Sequence, residues 1–201
     1  MRRFWQASED HRGTPEAPGR VATLITREHW ERLTDSHPAK SPRTWGAAYH
    51  IPPAHVKEVR EYLDIREING YSMEMVAFHV PMRRPEAERS ELSAGSPPPI
   101  LDRAASDPAS KEQDAPAPIN CLVYIGLPDN PQFLGLQDPD TLARHIVKSV
   151  GPSGQNKEYV YMLEKALLGV REDTGVYEDI DEHITDLARR VRREEQLMSE
   201  V

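Results

Sequence analysis

The sequence predicts an α+β protein built as one domain, residues 1–201. Three observations point there: the strand-like runs all fall before Gly126, the chain after Asp138 is amphipathic helical runs alone, and strands thus come first and helices after. A chain of 201 residues can bury an ordinary single core.

The elements follow in order. "RVATLI", Arg20 to Ile25, reads as a strand after the turn-rich "RGTPEAPG". "REHWERLTDSHPAKSPR" is a polar connection with room for a short helix near Trp30. "TWGAAYHI", Thr44 to Ile51, reads as a second strand, its small residues allowing close backbone approach. "PPAHVKEVREYLDIRE" is a helix: its prolines suit a helix start, and Val56, Val59, Tyr62 and Leu63 share one face. The Asn69-Gly70 pair then turns the chain into a strand, "YSMEMVAFHV", and "NCLVYIG" is a short buried strand. Between those two, residues 83–118 are rich in Pro, Ala, Ser and charge and almost free of large apolar side chains. Such a segment cannot offset the entropy of ordering, so it is expected to be a disordered insertion within the domain, with a linker between two domains as the alternative.

Three helices complete the chain. "DPDTLARHIVKSVG" has Asp138 as N-cap, Pro139 at the first position and Gly151 as stop. "NKEYVYMLEKALLGV" sets Tyr159, Met162, Leu163, Ala166 and Leu167 on one side. "DIDEHITDLARRVRREEQL" aligns Ile180, Ile184, Leu187 and Val191.

Composition narrows the function. With 25 Lys+Arg against 33 Asp+Glu, the formal net charge is −8, which gives no basic face for nucleic acid. No apolar run approaches the roughly 20 residues of a membrane span. "MRRFWQASED" has no apolar stretch behind its arginines and so does not read as a secretory signal; a cytoplasmic location is the default. The single cysteine, Cys121, cannot form an internal disulfide or a thiolate metal site. HExxH is absent and there is no second cysteine to complete a zinc set, so no metal is expected at the eight histidines.

The remaining features have a functional and a plain reading. "GPSGQN", before a helix, suits an anion at free N–H groups or a simple helix-to-helix turn; without a P-loop lysine it does not suit a nucleotide. Phe4, Trp5 and Trp45 are core residues, Arg2 and Arg3 surface residues, and "ARRVRREEQ" a solvated helix face with Arg and Glu in pairing distance. Glu67 is the sharpest case. It clusters with Asp64 and Arg66 at a helix end, where the helix dipole disfavours negative charge. A carboxylate ill-placed for stability is a candidate for chemistry, although a plain connection is the alternative.

Taken together, "RRFWQASEDHRGTPEAPGRVATL", "WGAAYHIP", "YLDIREINGY", "LVYIG", "FLG" and "GPSGQNKEYVYML" resemble, in this order, the ChaC-like family of glutathione-specific γ-glutamylcyclotransferases. The resemblance implies a mixed β-barrel flanked by helices, and cleavage of glutathione to 5-oxoproline and cysteinylglycine without a cofactor. It implies that Glu67, the Glu of the family's "YLDxRE" motif, is the catalytic acid/base. It also makes Tyr159 a candidate cleft hydroxyl for substrate binding, and places Glu58 at the cleft entrance, where a solvated helix face explains it equally well. Residues 12–20 would form either a loop over the pocket or an ordinary turn. The resemblance further leads one to expect a first strand with a Phe-Gly-Tyr-Gly-Ser-Leu turn ahead of "RRFWQ", cradling the γ-glutamyl group. This sequence lacks it, so the barrel is expected without its first strand. A gene-model fragment of an active enzyme, or a shortened paralogue acting as a binding or regulatory module, would each account for that.

Overall fold

The computed structural model describes residues 2–35, 37, 43–67, 70–80, 116–174 and 181–200. Most of the 83–118 segment, Asn69 and Ile180 lie outside the described residues.

The first element is one that periodicity does not announce. Strand β1, Arg2–Ser8, pairs antiparallel with β2, Gly19–Ile25, from Arg2 opposite Ile25 to Ser8 opposite Gly19. Nearly all of β1 is buried on both faces, so its sequence shows no polar–apolar alternation. The reading of Arg2 and Arg3 as surface residues is overturned. Arg2 is 8% exposed, pairs with Asp35 at 3.1 Å and lies over the Trp30 ring. Arg3 bonds Asp181 and the Trp45 carbonyl. Phe4 and Trp5 are core residues as expected.

Helix α1, Arg27–Glu31, begins where the Thr26 hydroxyl accepts from the His29 N–H at 3.1 Å. The strand expected over Thr44–Ile51 does not form. That stretch is irregular, pairs with no strand among the described residues, and leaves Tyr49 88% exposed. A 3₁₀ turn, Pro53–His55, leads into α2, Val56–Arg66. The apolar face assigned to α2 is not buried as a unit: Val59 and Leu63 are half-covered, whereas Val56 and Tyr62 are exposed. Strand β3, Tyr71–Phe78, pairs antiparallel with β4, Ile119–Gly126.

Helix α3, Pro139–Lys148, is capped by Asp138, whose carboxylate accepts from the Thr141 N–H at 2.8 Å. It stops at Ser149 rather than Gly151. Gly151 instead belongs to a small hairpin, β5 Val150–Gly151 with β6 Gly154–Gln155, turning at Gly154 with φ +103°. The "GPSG" segment is therefore a hairpin, and Ser153 donates its N–H to the His11 carbonyl at 2.9 Å. Helix α4, Asn156–Thr174, and helix α5, Glu182–Ser199, follow. The buried line of α4 is Asn156, Val160 and Glu164, flanked by Leu163 and Leu167. Met162 and Ala166, expected inside, are exposed. On α5, Ile184, Leu187 and Val191 are buried as expected.

The core joins Trp5 of β1 to Leu142, Ala143 and Ile146 of α3, Val160 of α4, and Ile184, Leu187, Ala188 and Val191 of α5. Charged pairs fasten it from outside: Arg190 with Asp140 and Asp186, and Lys157 with Glu195 at 2.6 Å. Among the described residues the strands form three two-stranded ladders, and no barrel closes. Proximity of Gly126 to Thr23 and Leu24 brings β4 against β2.

Candidate functional site

Helix α4 is fixed to β2 by two side chains one turn apart. The Asn156 carboxamide accepts from the Arg20 N–H and donates to the Arg20 carbonyl, both at 2.7 Å. In this way one side chain satisfies the open edge of β2 as a neighbouring strand would. Three residues on, the Tyr159 hydroxyl accepts from the Ala22 N–H at 3.0 Å. Its own proton is left to be donated into the adjoining space.

That space is a cavity of about 690 Å³. Gln6, Ser8, Val21 and Thr23 line it from the β1–β2 ladder, and Ile65, Glu67, Tyr71 and Tyr124 from α2, its end and the β3–β4 ladder, the two sets meeting where Gln6 bonds Tyr71. Residues Asp10, His11 and Arg12 and the hairpin residue Ser153 close a further side. Of the segment expected as a loop over the pocket, Arg12 reaches the cavity. Thr14 and Ala17 bond each other's backbone in a turn that leads back to β2. The Arg12 guanidinium donates to the Gln155 carbonyl at 3.0 Å, lies 3.7 Å from Glu158 and covers the Tyr159 ring. It is the cavity's fixed positive charge.

Glu67 is the residue at which α2 releases the chain. Its N–H still donates to the Leu63 carbonyl at 2.8 Å, but its φ and ψ, −103° and 34°, have left the helical range. Gly70 then takes φ +78°, and a Cβ there would strike the Asn130 side chain at 2.3 Å. Only glycine fits this corner, and the corner is what turns Glu67 into the cavity wall instead of along the helix.

Two phenols register the carboxylate. Burial raises the Tyr71 hydroxyl above the usual tyrosine range, with Gln6 and Thr23 hydrogen bonds opposing and the Glu67 charge adding to the rise. Tyr124 is raised by burial and by the charges of Asp64 and Glu67. Tyr159 is raised chiefly by burial, against the Ala22 hydrogen bond and the charges of Arg3 and Arg12. All three phenols are therefore neutral donors at physiological pH.

Of the sequence candidates, Glu67 and Tyr159 meet in the cavity although 92 residues separate them. Glu58 does not line it. That side chain is 82% exposed and lies 3.5 Å from His55. Gln6, Tyr71 and Tyr124 escaped the sequence reading. Tyr71 directly follows the Asn69-Gly70 turn and Tyr124 sits in "LVYIG", so both lay inside recognised stretches without any pattern that marked their direction. Among the described residues, no three His, Cys, Asp or Glu side chains group to hold a metal ion, and no helix is long and apolar enough to cross a membrane.

A cavity that gathers the carboxylates of Glu67 and Asp10, three neutral phenols and the half-buried Arg12 guanidinium is equipped to hold a small charged substrate and move a proton within it. The chain belongs to the ChaC-like protein family, whose model matches residues 1–194. It is 42% identical over 180 residues to the glutathione-specific γ-glutamylcyclotransferase of Saccharomyces cerevisiae, covering 83% of this chain and 72% of that protein. To the Schizosaccharomyces pombe protein of the same name it is 34% identical over 197 residues, 98% of this chain and 80% of that one. The crystal structure of a γ-glutamyl cyclotransferase specific to glutathione from yeast superposes with a TM-score of 0.68 at 38% identity, covering 96% of this chain and 83% of that one.

Proposed function

We propose that this chain is a glutathione-specific γ-glutamylcyclotransferase, releasing 5-oxoproline and cysteinylglycine, with Glu67 as general acid/base. The observation that carries the reading is the convergence of Glu67 and Tyr159 on one cavity in a chain 42% identical to the Saccharomyces cerevisiae enzyme.

The substrate explains why one carboxylate suffices. The γ-glutamyl group carries its own nucleophile, the α-amino group, so proximity is largely built into the substrate. Glu67 takes a proton from the ammonium. The freed amine attacks the γ-carbonyl carbon, and a C–N bond closes the five-membered ring. The ring nitrogen then gives up a second proton, and Glu67 passes both protons of the former ammonium, one after the other, to the cysteine nitrogen as its amide bond breaks, so cysteinylglycine leaves with its amine protonated. The neutral Tyr159 hydroxyl is a donor suited to the carbonyl oxygen as negative charge develops on it. Arg12 offers a partner for a substrate carboxylate. The nucleophile comes with the substrate, so the step calls for no cofactor.

The test is consumption of glutathione by the purified chain, followed as 5-oxoproline, beside an N-acetylated analogue. Glutathione is expected to turn over. The analogue, whose nucleophile is blocked, is expected to remain. Comparable turnover of both would indicate hydrolysis instead of cyclisation and would sink the mechanism.

A further inference from the structure

Gln6 sits in the middle of β1 and is 5% exposed. Its backbone is held from both sides, paired with Val21 in β2 and bridged to Phe133, while the neighbouring Ala7 N–H donates to the Gln132 carbonyl at 2.8 Å. Its side chain cannot leave the cavity wall by a small backbone shift. Nε2 donates to the Tyr71 hydroxyl. Oε1 is buried and has no hydrogen-bond partner among the described residues, although Gln6 lines the cavity.

A buried carbonyl oxygen without a donor costs about 1–3 kcal/mol, and native proteins almost always supply one. Gln6 lines the cavity, so an occupant that reaches this side chain is the available source of that donor. Gln6 touches Tyr71, and Tyr71 lies near enough to Glu67 to feel its charge, so Gln6 and Glu67 address the same part of the space. On the proposed reaction, the group brought to Glu67 is the substrate's α-amino group. Glu67 removes one of its protons. The remaining N–H bonds need an acceptor if the lone pair is to stay aimed at the γ-carbon.

We propose that Gln6 Oε1 accepts a hydrogen bond from the α-amino group of the γ-glutamyl substrate, orienting the nucleophile and selecting for a free amine. This rests on the cyclotransferase reading above. Gln6 exchanges no proton and forms no covalent bond. It contacts the attacking nitrogen, while Glu67 carries the proton from that nitrogen to the leaving one.

The experiment measures binding by calorimetry in a Glu67→Gln background, where ligands can bind without turnover. The ligands are glutathione and glutaryl-cysteinylglycine, the same tripeptide without its α-amine. Glutathione is expected to bind about tenfold to a hundredfold more tightly than the deamino peptide, the range for a hydrogen bond to a charged group. Adding Gln6→Met, of similar length but without the acceptor, is expected to bring that ratio near one. Gln6→Glu keeps one oxygen for the Tyr71 hydroxyl and one for the amine, and is expected to preserve it. A ratio near one in the parent, or a ratio unchanged by Gln6→Met, would overturn the proposal. So would equal weakening of both ligands by Gln6→Met, which would mean that Gln6 only shapes the wall. If Gln6→Met does not fold, Gln6→Glu decides the matter, and loss of the ratio in that variant overturns the proposal. Absence of 5-oxoproline formation by the unmutated chain is a separate outcome, and it would fail the reaction itself.

Discussion

The two walls of the cavity are built differently. The β1–β2 wall is backed by three helices and a shared core in which Ala143, Ile146, Val160, Ala188 and Val191 are fully buried. Its open edge is closed by Asn156 and Tyr159. The other wall, carrying Glu67, rests on α2 and the β3–β4 ladder. Its apolar residues are largely on the outside: Ile65 is 74% exposed, Met75 65% and Tyr62 61%. Tyr159 is thus fixed by a packed body, whereas Glu67 is fixed by local backbone geometry at the α2 corner and Gly70. Placing a proton carrier does not require a deep core beneath it. It requires a helix end and a turn that allow one direction.

That contrast predicts opposite consequences for substitutions on the two walls. The largest effect is expected at Glu67. Glu67→Gln keeps the shape of the side chain but cannot carry a proton, so 5-oxoproline formation should fall by roughly 10² to 10⁴. That corresponds to about 3 to 5 kcal/mol of barrier. Because little packs on this wall, urea unfolding of the variant should match the parent within about 0.5 kcal/mol. Retention of most activity would mean that another group moves the proton.

Asn156→Leu tests the packed wall. It leaves the Arg20 N–H and carbonyl without their side-chain partner in a buried setting. At about 1–3 kcal/mol for each of the two unsatisfied groups, urea unfolding should show a loss of roughly 2 to 6 kcal/mol. Met75→Thr, on the exposed ladder, should change stability by no more than about 0.5 kcal/mol. Equal losses at the two positions would erase the distinction between the walls.

A smaller and pH-dependent effect belongs to His183, on α5 against Trp5. Burial brings its imidazole down to about 4, with the Asp181 charge opposing, the Arg2 charge assisting, and Asp35 and His37 acting in opposite senses. Its folded value lies below the unfolded one of about 6.5, so the unfolded chain takes the proton first. Its contribution to stability is therefore full above about pH 6.5 and is lost as pH falls toward 4. Urea midpoints measured across this window should decline less steeply in a His183→Leu variant than in the parent. Identical slopes would show that His183 is already solvated in the folded chain.

Much of this molecule was legible in its residues. The helix from Pro139 with its Asp138 cap, the stripe Ile184, Leu187 and Val191, and the corner that ends in Glu67 all depend on interactions within a few residues. Such interactions leave periodicity and capping signals in the chain itself. The motifs from "RRFWQ" to "NKEYVYML" gave the family for the same reason, as ordered local strings. What tertiary structure alone decided is direction and partnership across distance. Strand β1 could not be read from alternation, because Arg2 is buried and Arg3 half-buried against acids at Asp35 and Asp181 that lie far along the chain. Thr44–Ile51 has strand-like composition but no strand beside it among the described residues, and a strand exists only by pairing. Asn156 acts as a substitute strand for Arg20, 136 residues away. Gln6 acquires its unpaired oxygen only because β1 meets Tyr71 across the cavity. Each of these depends on a neighbour that folding supplies, and local sequence carries no record of which neighbour that is.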